Sequence, residues 1–158
     1  MYPELQALIH EAEFQYLNAG DLDQVTHHVN GLKERLAIYR FIRNQEIDIF
    51  QGIADKLLEV FPQHNPKQIE TAIRHWLLVT RYCGMAMLLN NPEFLERRLL
   101  EWLTEIVTAH KLQNIENSLY SMLIGRLEKE LSSEQMAYLE PFLSQAKQSL
   151  IDSQPVMA

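Results

Sequence analysis

The chain has 158 residues, 47% of them hydrophobic and 22% charged, and a formal net charge of −7. That balance fits a single folded domain with a real core and excludes a disordered polymer. It also disfavours a nucleic-acid surface, which needs a cationic footprint.

Five glycines and six prolines leave few turns for an all-β fold, and apolar residues recur at helical spacing almost throughout. Leu5, Leu8, Ile9, Ala12 and Tyr16 mark a first helix. "NAGDLDQ" interrupts it, with Gly20 as a stop, Asp21 as an N-cap and Gln24 as its capping-box partner. A second short helix is expected to end at Asn30-Gly31. Leu36, Tyr39, Ile42, Ile49, Ile53 and Leu57 predict one long helix or two end to end, with Gly52 as a kink. "FPQHNPKQ" is the clearest loop, and Asn65-Pro66 is the pair expected at a helix start.

The next helix carries Ile69, Ile73, Trp76, Leu77, Thr80, Cys83, Gly84 and Met87 on one broad face. Asn91-Pro92 restarts the chain into Leu95, Leu99, Trp102, Leu103 and Ile106. "IENSLYSMLIGRLEKEL" follows, then Ser132 and Gln135 as a capping box, then a last helix with Pro141 as a bend. The tail "DSQPVMA" is expected to fray. The pattern predicts one all-α domain of about seven to nine helices.

Catalytic signatures are missing: there is no glycine-rich phosphate loop, no His-Glu-x-x-His and no glycine-flanked nucleophile. The chain is therefore expected not to be an enzyme and to hold no metal. His27 and His28 are adjacent and diverge on a helix, the wrong geometry for a shared ion. Glu101 and Glu105, with Arg97 and Arg98 a turn earlier, resemble ordinary intrahelical charge pairing. A haem would need a histidine in an apolar pocket, for which His75 or His110 can be nominated, although a lone helical histidine is more often structural.

Cys83, the single cysteine, excludes an intramolecular disulfide and fits a small buried hydrophobe. Carboxylates stand in "MYPELQALIHEAEF" where a signal peptide carries cations, and the apolar stretches are short for a membrane span. A cytoplasmic location is expected.

One stretch poses a sharper question. "IRHWLLVTRYCGMAMLLNNP" sets Arg74 and Arg81 in an apolar run, two helical turns apart and so on one side of a helix. In its wider context, "TAIRHWLLVTRYCGMAMLLNNPEFLERRLLEWLTEI", it resembles the central region of phycobiliprotein subunits, the globin-like light-harvesting proteins of phycobilisomes. Their pattern runs Cys-x-Arg-Asp, then aromatics, Arg-Tyr, Ala-Gly-Asp and a Leu-x-Glu-Arg helix. "ELQALIHEAEFQYLNAGDLDQVTHHVNGLKERLAIYRFIRNQEIDIFQGIADKL" has the layout of that family's N-terminal helices, and "LEKELSSEQMAYLEPFLSQAKQSL" matches its closing helices. The resemblance spans essentially the whole chain.

It implies a globin-like fold with two extra N-terminal helices: a projecting helical hairpin over 1–30, a body over 31–151 and a tail over 152–158. It also places Arg74 and the Arg81-Tyr82 pair where the family holds the propionates of a linear tetrapyrrole, a task suited to a bidentate guanidinium. The attachment cysteine, however, aligns with Ala72, which has no nucleophile, so a thioether there is chemically excluded. The aspartate that binds the pyrrole N–H groups aligns with His75, and Leu78 and Val79 stand where tyrosines are common.

Two expectations follow from the resemblance. In the first, the chain is a chromophore-free, non-catalytic relative from a cyanobacterial cell, acting in assembly, regulation or turnover of the photosynthetic antenna at the thylakoid surface. In the second, bilin or haem binds noncovalently, clasped by Arg74 and Arg81 and packed on His75, Trp76 or Tyr82, as in a sensor. By the same resemblance, Leu5, Leu8, Ile9 and Tyr16 are expected at an interface with a second copy or with a phycobiliprotein subunit.

Overall fold

The computed structural model describes residues 2–155, and every regular element among them is helical. The first, α1 (Pro3–Ala12), begins with a proline whose missing N–H costs nothing in a first turn. The second, α2 (Ala19–Val60), is a single helix of 42 residues. Its cap is Asn18, whose side chain accepts from the Asp21 amide at 2.9 Å while Asp21 accepts from the Asn18 amide at 3.1 Å. The capping box thus lies three residues earlier than expected, with Asp21 as its second member and Gln24 outside it.

The expected break at Asn30-Gly31 is absent: α2 runs through it and on through Gly52 as one helix. A glycine costs a helix interior only about 1 kcal/mol relative to alanine, too little to stop a helix that is capped at Asn18 and packed into the core from Ile38 onward. The N-terminal part is therefore α1 followed by the leading part of one long helix, and the second helix does not end near residue 30.

α3 (Pro66–Leu89) starts at the Asn65 cap, which accepts from the Lys67 amide, and ends where Asn90 turns left-handed. Asn91 then caps α4 (Pro92–Leu95), accepting from the Phe94 amide. A π-helical turn, Glu96–Leu100, joins α4 to α5 (Glu101–His110), and both Leu99 and Leu100 are enclosed there. Arg97 pairs backwards with Glu93 at 2.6 Å rather than with the expected Glu101.

Lys111, also left-handed, leads into α6 (Gln113–Glu130). α7 (Ser133–Lys147) is capped by the expected Ser132–Gln135 box and continues through Pro141 into a second π turn, Gln148–Asp152.

One core cluster joins the second half of α2 to α3, α5, α6 and α7, with Trp76, Leu57, Met87, Leu119 and Leu143 wholly enclosed. Residues 19–37 of α2 contribute nothing to it, for the buried residues of that helix begin at Ile38. α1 lies against that part. The Tyr2 hydroxyl donates to the Leu88 carbonyl, and Glu4 approaches His28 to 3.2 Å. Arg35 donates to the Met87 carbonyl at 2.7 Å and lies over the rings of Tyr2 and Tyr138, tying the end of α3 to α1 and α7. The tail is also held: Gln113 donates to the Ile151 carbonyl at 3.1 Å, and Gln154 is buried. Residues 156–158 of the tail expected to fray lie outside the described residues.

Candidate functional site

α3 places the residues singled out in the sequence in several different environments. Ala72 and Trp76 face the core with no exposed surface, Trp76 edge-on to Tyr120 at 5.5 Å. Arg74 faces solvent and pairs with Glu70 one turn back on α3. Arg81 crosses to α2, where its Nε and Nη2 donate to both carboxylate oxygens of Glu46, at 2.6 and 3.0 Å. That bidentate bond, with the Glu46 charge, holds the Arg81 guanidinium above its ordinary pKa. Tyr82 stacks on Phe94 with ring centroids 6.0 Å apart.

The two arginines therefore share a side of α3 but are each engaged by a different carboxylate. Glu70, at i−4, is readable from sequence spacing. Glu46 is not, because only the antiparallel packing of α2 on α3 brings it near.

His75 belongs to a buried polar group. Its Nδ1 lies 3.9 Å from Oε1 of Glu116 on α6, and its ring is 5.3 Å from that of His110 at the end of α5. Glu116 has no exposed surface, and its Oε2 accepts from Gln154 Nε2 at 3.1 Å. Neither His75 Nδ1 nor Glu116 Oε1 has a hydrogen-bond partner. A carboxylate thus stands behind the position where the resemblance expects an aspartate. Sequence reasoning missed Glu116, whose signal was an acidic residue on the inward face of an amphipathic helix. Among the described residues, no group of three or more His, Cys, Asp and Glu side chains is arranged to hold a metal ion. Cys83 is fully enclosed, and burial pushes its thiol well above the ordinary range, which leaves it un-ionised and unreactive.

The N-terminal residues divide. Leu8 is 7% exposed and packed within the chain, and Leu5 is half-buried, so these two are spent on seating α1. Ile9 and Tyr16 are open to solvent, as are Phe14, Leu22, Val29, Leu32 and Leu36. Along α2 the apolar positions Leu22, Val25, Val29, Leu32 and Leu36 advance by alternating steps of three and four. A repeat of this spacing occurs in helices that pair with another helix. The repeat was visible in the sequence but was cut in two by the break expected at Gly31.

An all-α chain of this helix order, with its core built on α3 and a long leading helix, is globin-like with N-terminal helices added. The chain belongs to the phycobilisome protein family, whose model matches residues 8–150. No curated protein matches it. No helix among the described residues is long and apolar enough to cross a membrane.

Proposed function

We propose that the chain is a chromophore-free, non-catalytic member of its family that acts through protein–protein contacts in assembly, regulation or turnover of the photosynthetic antenna. The carrying observation is the leading part of α2, residues 19–37, where no side chain is buried and Leu22, Val29, Leu32 and Leu36 stand exposed at heptad spacing. An apolar seam left bare on a monomer invites a partner helix. Ile9, Phe14 and Tyr16 are further exposed apolar residues at the same end of the chain.

The partner is a second copy or a phycobiliprotein subunit, and the place of action is the cytoplasm of a cyanobacterial cell, at most peripheral to the thylakoid. The fully enclosed methyl of Ala72 supports the absence of a tethered pigment. The ion pairs of Arg74 and Arg81 support a structural role for the two arginines.

Purification from a phycobilisome-containing cell, followed by light scattering and an absorbance spectrum, tests this. The expected product is colourless, is a dimer or a complex with an antenna subunit, and stays colourless after incubation with bilin or haem. A monomer that takes up stoichiometric bilin, and loses it in the Arg74→Ala/Arg81→Ala variant, overturns the proposal in favour of noncovalent pigment binding.

A further inference from the structure

α1 is lightly held. It has 10 residues, and Leu8 is its one buried side chain. Isolated helices shorter than roughly 12–15 residues are marginal in water, so α1 owes its order to its seat on α2. Polar ties complete that seat. The Tyr2 hydroxyl donates to the Leu88 carbonyl, the Arg35 guanidinium lies 5.7 Å from the Tyr2 ring centroid, and Glu4, its side chain 79% exposed, approaches His28. α2 does not need α1 in order to begin, because the Asn18–Asp21 capping box closes on itself. Residues 13–18, between the two helices, form no regular element. α1 can therefore open there while α2 and the core stay folded, as in other local unfolding.

The seat also overlaps the apolar repeat of α2. Of Leu22, Val25, Val29, Leu32 and Leu36, only Val25 is partly covered, and the others are exposed. Tyr2 lies beside Arg35 and Glu4 beside His28, so α1 runs antiparallel to α2. One turn beyond Glu4, Leu8 comes to the level of residues 22–25.

We propose that α1 is an autoinhibitory strap on this seam. Docked, it covers one flank of the leading part of α2; released, it uncovers Val25 and lets a partner helix pack on the whole repeat. The inference rests on the assembly function proposed above and adds its regulation. A partner that needs the open form binds with an affinity reduced by the fraction of chains that are open. Loosening the strap therefore tightens assembly, the reverse of what a truncation inside a contact surface does. Where the partner is a second copy, two straps must open, and the effect is squared.

Two variants of the full chain test this: Tyr2→Phe, which loses the bond to Leu88, and Leu8→Ala, which loses the buried anchor. Hydrogen exchange at the amides of residues 7–12 reads the opening of α1, and light scattering reads the association constant. Tyr2→Phe is expected to lower protection of those amides about fivefold and Leu8→Ala about thirtyfold, with protection of α3 unchanged. Association with an antenna subunit is expected to tighten by the factor by which protection falls, and self-association by its square. Weaker association in the variants overturns the strap and makes α1 part of the contact surface. Unchanged association with lowered protection also overturns it, as does an α1 already unprotected in the native chain. If neither the native chain nor the variants associate with anything, the assembly function itself has failed, and the strap with it.

Discussion

Glu116 has no exposed surface, yet only one of its carboxylate oxygens is hydrogen-bonded, and the other faces His75 at 3.9 Å. A buried carboxylate is worth keeping for stability only if its lone pairs are met, so the shape of the group matters more here than its charge. Glu116→Gln keeps the acceptor for Gln154 and can offer an N–H to His75 Nδ1. It is expected to leave stability unchanged or to raise it by up to about 1 kcal/mol. Glu116→Leu removes the acceptor and is expected to cost about 1–3 kcal/mol, read from urea unfolding. A larger loss in Glu116→Gln than in Glu116→Leu would mean that charge, through a protonated His75, holds the group together. At this scale the sequence disclosed identities but few partners. Ala72 and Arg74 could be placed by pattern, whereas Glu46 and Gln154 reach Arg81 and Glu116 only through contacts between distant segments.

Helix starts were legible because a cap is local chemistry. Asn65, Asn91 and Ser132 each satisfy amides two or three residues ahead, so a short window of sequence suffices. Glycine stops were not legible, because where a helix ends is decided by the whole fold: α3 and α5 end at left-handed residues, while α1, α2 and α6 end without one. Among the described residues the left-handed positions are Asn90 and Lys111, and none is a glycine. Gly31 is instead an interior helix residue, where a Cβ would meet the Tyr138 hydroxyl at an ordinary 3.7 Å. Gly31→Ala is therefore expected to stabilise the chain by about 0.5–1 kcal/mol, through the lower backbone entropy of the unfolded state. Chemical denaturation with an unchanged slope would show it. A loss of similar size would restore the break between two short helices.

For the whole molecule, the question is what the leading half of α2 is for. Residues 19–37 would span about 28 Å at the rise of an α-helix, and none of them is buried. So long a helix without core contacts of its own owes its order to propagation from the packed half and to α1, and on the function proposed above a partner on the seam adds to both. Replacing Val29 and Leu32 together with glutamate separates these contributions. Both side chains are more than a third exposed in the monomer, at 44% and 42%, so each change is expected to alter its stability by no more than about 0.5 kcal/mol. In an assembled seam the same carboxylates would be buried without partners. A penalty of about 2 kcal/mol at each weakens the complex by roughly a thousandfold. Light scattering is expected to show the variant as a monomer at concentrations where the native chain is assembled, with circular dichroism and the unfolding midpoint unaltered. A variant whose mass matches that of the native chain at every concentration would mean that nothing docks on this face. The apolar repeat from Leu22 to Leu36 would then be a property of the isolated helix.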